Sequence, residues 1–169
     1  TTSVAAPILA PGVFYPFSVQ IGTCNGNYNN WTKAWIDFNQ NGLFTDAGEM
    51  IYSSTTFAFG PHIESGVISV PTTAVQGITR MRVVNVETTV TTGVNPCGTY
   101  TWGETEDYCI NIVAGTPCSG TPAALTPSIS APQGCPNVAF TLNTSSLSAF
   151  TGLSYQWQSS PNNNGPWAN

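Results

Sequence analysis

The amino-acid sequence predicts an all-β protein built around an antiparallel β-sandwich. Gly and Pro account for 16 and 13 of the 169 residues, and they interrupt the chain every few positions. No window therefore keeps apolar residues at helical spacing for three turns. Between these breaks lie short runs rich in β-branched and aromatic residues, which is the pattern of strands joined by tight turns.

Six such runs predict the strands of a first domain at 13–21, 33–38, 50–53, 66–70, 79–86 and 107–113. Short strands at this spacing are typical of a jelly-roll or Ig-like sandwich, which we assign to residues 1–115. Residues 116–133 are rich in Pro, Ser and Ala and predict a linker. Two further runs, at 138–142 and 153–158, predict strands in a C-terminal piece, residues 134–169.

Composition excludes several classes of function. Three Lys and Arg residues stand against eight Asp and Glu residues, and the isoelectric point is near 4.3. No basic stripe can neutralise phosphates, so we expect no nucleic-acid partner. No apolar run approaches the ~18 residues of a membrane span, so we expect no membrane insertion. Because the chain starts at Thr1 without Met, we expect a processed protein or a piece of a longer one.

The cysteines predict disulfides in an oxidising compartment, because the paired spacings of a zinc site are missing. There are five of them: Cys24, Cys97, Cys109, Cys118 and Cys135. We predict a bond between Cys97 and Cys109, which flank residues 103–108. Cys24 is an alternative partner for either, and Cys118 and Cys135 could instead pair across the linker. An odd number leaves at least one cysteine without a partner in this chain.

An acidic loop follows the second predicted strand. Oxygen-bearing side chains stand at alternate positions and Gly42 comes next, which is the spacing by which a loop encloses a hard cation. The predicted calcium ligands are Asp37, Asn39, Asn41, the Leu43 carbonyl, Asp46 and Glu49. Strand-like flanks and Gly48 at the position of the bidentate Glu argue against an EF-hand. The alternative is a metal-free hairpin, in which Asn41 and Gly42 form a tight turn.

A second acidic cluster, Glu104, Glu106 and Asp107, precedes or opens the sixth predicted strand. Along a strand Glu104 and Glu106 share a face with Tyr108 and the isoleucines that follow, so they should point toward the apolar side. A carboxylate there needs a partner, and Arg80, Arg82 or a bound calcium ion could supply it. Alternatively, the strand begins only at Asp107 and the glutamates lie in a solvated loop.

Four segments carry a family resemblance: the motif Gly103-Glu-Thr-Glu-Asp-Tyr108 and, before it, residues 34–42, 44–49 and 80–82. Together they resemble the GEVED domain of secreted and cell-surface bacterial proteins. Thr105 stands where the family has Val. The resemblance covers roughly residues 12–114 and implies a non-catalytic β-sandwich module of long multidomain proteins, many exported by the type 9 secretion route.

Residues 134–142 and 154–160 resemble strands B and C of bacterial Ig-like surface repeats. That likeness makes this piece a partial Ig-like sandwich, with Trp157 in its core and Cys135 bonded to a later strand.

The sequence thus favours a calcium-stabilised, non-catalytic module of a bacterial adhesin-type protein, located outside the cell or on its surface. Its expected partners are other domains of the same polypeptide or neighbouring copies, with surface glycans or proteins as a further alternative. One alternative is a fibre subunit completed by strand exchange between chains. Another is a carbohydrate-binding module of a secreted hydrolase, for which the candidate aromatics are Tyr28, Trp31, Tyr100, Trp102 and Trp167. A single histidine, His62, without a partnered nucleophile argues against an enzyme.

Overall fold

The computed structural model describes residues 5–130, 141–144, 150–161, 165–166 and 168. Within these residues the chain forms strands and one short 3₁₀ turn, Thr91–Gly93, and no α-helix. The strands are β1 (Ile8–Leu9), β2 (Phe14–Ile21), β3 (Asn29–Ile36), β4 (Met50–Ser53), β5 (Ala58–Phe59), β6 (His62–Ser69), β7 (Gly77–Glu87), β8 (Gly103–Ile112), β9 (Pro127–Ile129) and β10 (Leu142–Thr144).

The strands form two main sheets. The larger sheet has the order β1-β8-β7-β3-β4, and β5 also pairs with β3. The smaller sheet consists of β2 and β6, paired antiparallel along eight residues. Every pairing in the larger sheet is antiparallel except that of the two-residue β1 with β8, which is parallel. The predicted all-β, sandwich-type fold is confirmed, with this one parallel pair as an addition.

The two sheets enclose the main hydrophobic core. Phe17 of β2 and Ile68 of β6 pack in one cluster with buried residues of the larger sheet, among them Ile36, Val83 and Ile110. These side chains recur at every second position of their strands, as expected where one face of a strand is buried. Burying each of them contributes roughly 1.5–3 kcal/mol relative to exposure.

The other face of the larger sheet is covered by loops. Trp35, Val84 and Val86 form a second cluster there with Phe44, from the loop after β3, and Val94, from the loop after β7. Both faces of the central strands are therefore buried. Phe44 anchors the acidic loop to this outer face, and this contact fixes the position of the candidate calcium ligands.

The bounds of three predicted strands in the first domain differ clearly from the sequence prediction: besides the two described next, the strand expected at 66–70 runs from His62 to Ser69, paired with β2 over its whole length. The strand expected at 33–38 runs from Asn29 to Ile36. The strand expected at 107–113 begins at Gly103, so the alternative that placed Glu104 and Glu106 in a loop before the strand is wrong. Both strands extend further because β7 offers a continuous partner, pairing with β3 from Asn30 and with β8 from Gly103.

The C-terminal piece departs more from expectation. β9, Pro127–Ile129, lies inside the predicted linker and pairs with β10. In the described part of the chain residues 153–158 form no strand, and the pairings beside them there are isolated bridges at Thr151 and Ser159. Trp157, expected in a core, is 47% exposed. Cys135 and most of the predicted strand 138–142 lie outside the described residues.

Candidate functional site

The acidic loop spans residues 37–49 and joins the antiparallel strands β3 and β4. Its ends are closed by backbone hydrogen bonds: Ile36 N donates to Glu49 O at 2.9 Å, and Asp37 N donates to Arg80 O of β7 at 3.1 Å. Phe44, in the middle, is buried. The loop is thus fixed at both ends and at its centre, which is the preorganisation that a cation site needs.

The first half of the loop is folded around the Asp37 carboxylate. Its two oxygens accept the backbone N–H groups of Asn41 at 3.1 Å and Gly42 at 2.9 Å. Gly42 has a φ of 83°, a conformation that favours glycine. The amide oxygens of Asn39 and Asn41 each accept a backbone N–H two residues later. These turns match the metal-free alternative, yet carboxylate and amide oxygens have further lone pairs that could face a cation.

Asp46 closes the loop from its other side. One oxygen of its carboxylate accepts hydrogen bonds from the side-chain amides of Asn39, at 2.9 Å, and Asn41, at 2.7 Å. These two hydrogen bonds lower the pKa of Asp46, because they stabilise the ionised form. Three of the predicted ligand side chains are therefore in direct mutual contact.

Glu49 is the least satisfied polar group of the loop. Its side chain is only 2% exposed, one oxygen accepts the Asp46 N–H at 3.3 Å, and the other oxygen, Oε1, is buried without a hydrogen-bond partner. Burial raises the pKa of Glu49 and the negative charges of Asp37 and Asp46 raise it further, while hydrogen bonding to the backbone N–H groups of Asp46 and Asn39 opposes this rise. A buried carboxylate oxygen that lacks a partner is costly, and a bound cation would remove that cost.

The three carboxylates of the loop do not complete a metal site by themselves. In the described part of the chain, no three His, Cys, Asp or Glu side chains are grouped so that they could hold a metal ion. The amide oxygens of Asn39 and Asn41 and the Leu43 carbonyl would have to supply the remaining ligands. Such an all-oxygen set suits calcium and not zinc or copper.

The arginines of β7 bind Asp107 of the second acidic cluster, whereas the sequence indicated Glu104 and Glu106. In the β7–β8 register Arg82 lies opposite Asp107, and its Nε and Nη2 donate to the two Asp107 oxygens at 2.7 and 2.8 Å. Arg80 is 3.6 Å from the same carboxylate. The predicted pairing of the arginines with Glu104 and Glu106 is wrong, because side chains alternate and Asp107 is the acid on the arginine face.

Arg82 connects several parts of the outer face. Besides binding Asp107, it donates to the Pro96 carbonyl at 2.8 Å and contacts the Cys97 sulfur at 3.7 Å. Its guanidinium lies 4.8 Å from the centre of the Phe44 ring, in a cation–π contact. The hydrogen bond from Arg82 lowers the pKa of Asp107. Sequence reasoning missed this role of Arg82, because the contacts come from loops far apart in the chain.

Glu104 and Glu106 share a face with Tyr108, as predicted, but all three residues are exposed. Tyr108 donates its hydroxyl hydrogen to Glu106, and this hydrogen bond, together with burial, raises the pKa of Tyr108 to about 12. Glu104 and Glu106, near the start of β8, lie beside an open depression that also includes Val19 and Ile21 of β2. The smaller sheet covers only the other end of this face.

Cys97 and Cys109 are both exposed and free in the structure. Cys97 contacts Arg82, and Cys109 lies opposite Arg80 in the strand register. Because Arg80 and Arg82 share one face of β7, the two cysteines lie on the same side of the sheet. The disulfide between them stays a prediction.

A polar network around Glu64 links the two sheets and was not foreseen. Glu64 of β6 accepts hydrogen bonds from Ser54 Oγ at 2.7 Å and from the Tyr52 hydroxyl, and it lies 3.2 Å from His62 Nε2. The other imidazole nitrogen is 2.7 Å from the Gly60 carbonyl. His62 therefore belongs to a partly buried network and is not a surface loop residue.

Comparison with known families agrees with this geometry. Residues 31–111 match the family model of the GEVED domain. The chain contains a GEVED domain. No curated protein and no solved structure matches the chain significantly. The GEVED match includes the acidic loop and most of β8, so both acidic clusters belong to the domain. It omits β2, although β2 completes the smaller sheet by pairing with β6.

Among the described residues, no helix has the length and apolarity needed to cross a bilayer.

Proposed function

We propose that this chain is a non-catalytic, calcium-stabilised module of a bacterial adhesin-type protein that acts outside the cell or at its surface. The GEVED domain suggests an extracellular module. The observation that carries the calcium proposal is Glu49 Oε1, a buried carboxylate oxygen without a partner in a loop that holds two more carboxylates.

In this proposal calcium is held by Asp37, Asn39, Asn41, the Leu43 carbonyl, Asp46 and Glu49. The ion would neutralise the mutual repulsion that raises the pKa of Glu49. Because the loop joins β3 to β4 and carries Phe44 into the outer cluster, holding it in place stabilises that face of the larger sheet. The role of the ion is structural.

The surroundings of His62 support a non-catalytic role. Both imidazole nitrogens lie within hydrogen-bond distance of a protein oxygen, and the Ser54 hydroxyl lies 2.7 Å from a Glu64 oxygen and 3.1 Å from the Thr32 carbonyl oxygen, either of which can accept its hydrogen. No contact joins serine to histidine in this network, so the arrangement lacks the nucleophile–base pair of a hydrolase. The module would instead act through contacts with other domains of its polypeptide or with neighbouring copies.

Thermal unfolding of the purified chain tests the calcium proposal. Calcium at about 100 times its dissociation constant should stabilise the folded state by roughly 2.7 kcal/mol, because the unfolded chain hardly binds it. Asp37→Ala should abolish the calcium-dependent rise in melting temperature, whereas Glu104→Ala, which removes an exposed carboxylate outside the loop, should keep it. A wild-type melting temperature that is the same in EDTA and in calcium would refute the proposal.

A further inference from the structure

A groove lies at the end of the sandwich opposite the acidic loop. Four segments form it: the chain after β2, the start of β3, the end of β7 and the residues that open β8. The groove has a volume of about 640 Å³, and the residues that matter here are Asn25, Tyr28, Asn85, Glu87, Trp102 and Glu104. Asn30 of β3 contributes to its floor.

Two of the aromatic candidates point into this groove. Trp102 is 69% exposed and Tyr28 is 43% exposed, and both line the groove. Trp31 and Tyr100 instead pack against the outer hydrophobic cluster, and Trp167 lies outside the described residues. A tryptophan with most of its surface in water, set in a concave site that also holds amide and carboxylate groups, indicates a ligand-binding surface.

The floor of the groove is a rigid polar network. Asn30 is 4% exposed; its amide donates to the Tyr28 carbonyl at 2.8 Å and its oxygen accepts from Asn85 at 3.2 Å. The Asn85 oxygen in turn accepts the Thr32 hydroxyl hydrogen at 2.9 Å. On the wall, Glu87 N donates to the Trp102 carbonyl at 3.0 Å. The groove is therefore held in shape before any ligand arrives.

We propose that this groove binds a neutral glycan, with Trp102 and Tyr28 stacking against sugar rings. The C–H face of a sugar ring is apolar and packs on an aromatic ring, while its hydroxyls both donate and accept hydrogen bonds. The amide of Asn25 can do both in return, and the carboxylates of Glu87 and Glu104 accept. No Lys or Arg lines the groove, so an anionic glycan would be repelled.

A basic peptide fits these observations less well. It would use the carboxylates and the aromatic faces, but Lys and Arg side chains only donate hydrogen bonds, so the side-chain amide of Asn25 would find an acceptor only in the peptide backbone, whereas every hydroxyl of a sugar both donates and accepts. The proposal goes beyond the calcium-stabilised module and does not depend on it. The groove and the acidic loop lie at opposite ends of β3, which is eight residues long and thus spans about 25 Å.

Affinity electrophoresis tests the proposal. The full chain is run in native gels cast with one of four neutral polysaccharides: hydroxyethylcellulose, galactomannan, xylan or laminarin. Gels cast with alginate serve as the anionic arm, and titration with polylysine serves as the cationic arm. The variants are Trp102→Ala and Tyr28→Ala. The matched control is Trp157→Ala, because Trp157 is also about half exposed but does not line the groove.

At least one neutral polysaccharide should retard the wild type. Trp102→Ala should weaken that binding at least tenfold and Tyr28→Ala should weaken it severalfold, whereas Trp157→Ala should bind like the wild type. Circular dichroism establishes that each variant is folded, and if one is not, the other decides. No retardation by any of the four polysaccharides, binding only to alginate or polylysine, or full binding by both groove variants would overturn the proposal. If the melting temperature proves insensitive to calcium, the calcium site fails and this result still stands by itself.

Discussion

Replacing Glu49 by Gln should change the stability of the protein in opposite directions with and without calcium. In EDTA at pH 7 the wild type keeps a buried carboxylate with one oxygen lacking a partner, near the charges of Asp37 and Asp46. Gln has nearly the same shape, carries no charge, and presents a donor to those carboxylates. We therefore expect the variant to be more stable than the wild type in EDTA.

The size of the effect follows from the burial of Glu49. An unsatisfied buried acceptor costs about 1–3 kcal/mol, and for a domain of this size each kcal/mol shifts the melting temperature by roughly 4 °C. The variant should therefore melt about 4–12 °C above the wild type in EDTA. In saturating calcium the wild type gains roughly 2.7 kcal/mol or more. The variant lacks a charged ligand and gains much less, so the order of stability inverts.

The pH dependence has a defined sign. The pKa of Glu49 is raised in the folded state, so the folded state holds this proton more tightly than the unfolded chain does. The stabilisation from that proton is complete below the unfolded value of about 4.5 and is lost as pH rises through the raised, folded pKa. In EDTA the advantage of the variant should thus be small near pH 4 and complete at pH 7.

Differential scanning calorimetry in EDTA and in calcium, at several pH values, measures these differences. The control is Glu64→Gln, since Glu64 is a partly buried glutamate whose oxygens accept hydrogen bonds from Ser54 and Tyr52. Its replacement should destabilise the protein in both buffers. A Glu49 variant that is less stable than the wild type in EDTA at pH 7 would show that Oε1 is satisfied, and the reasoning would fail.

Three further outcomes are expected. Asp107→Asn should lower the free energy of unfolding by about 1 kcal/mol at pH 7, because it weakens the partly exposed pair with Arg82. Because the folded pKa of Asp107 is lowered, this contribution is present above pH 4 and is lost as pH falls further. Urea titrations at pH 7 and below pH 4 measure the difference. A disulfide between Cys97 and Cys109 should stabilise the chain by roughly 3 kcal/mol. Peptide mapping without reduction identifies this bond, and finding Cys97 bonded to another cysteine would contradict the prediction. Residues 1–115 alone should melt cooperatively like the full chain; if they are unfolded by circular dichroism, the predicted domain boundary is wrong.

Local patterns predicted the strands and the loop because both depend on neighbouring residues. The alternation of apolar residues located six of the eight strands of the first domain and missed the two-residue β1 and β5. The spacing of oxygen-bearing residues selected a loop whose side chains do contact one another. The same reasoning failed for residues 153–158, where a strand-like sequence is flanked, among the described residues, by isolated bridges and forms no strand. Periodicity shows that a segment could pair in a sheet, but only the rest of the fold supplies the partner.

The groove could not be predicted in the same way. It brings together residues as distant in sequence as Asn25 and Trp102, and their proximity depends on the strand order of the whole sheet. The sequence offered only a set of aromatics, and nothing local separated Trp102, which is exposed, from Trp31, which packs on the outer cluster. Assigning exposure requires knowing which loop covers which face.

The spacing of the acids in the motif at the start of β8 decides which face of the strand each of them occupies. Alternation sends Asp107 to the outer face, where it binds Arg82, and sends Glu104 and Glu106 to the opposite face. There Glu106 accepts the Tyr108 hydrogen bond, and Glu104 reaches the proposed glycan groove. Shifting the motif by one residue would exchange these faces, turning Asp107 away from Arg82 and placing the two glutamates on the arginine side. The motif therefore fixes the register of β8 on β7, and through that register it positions both the Arg82 contacts and the wall of the groove.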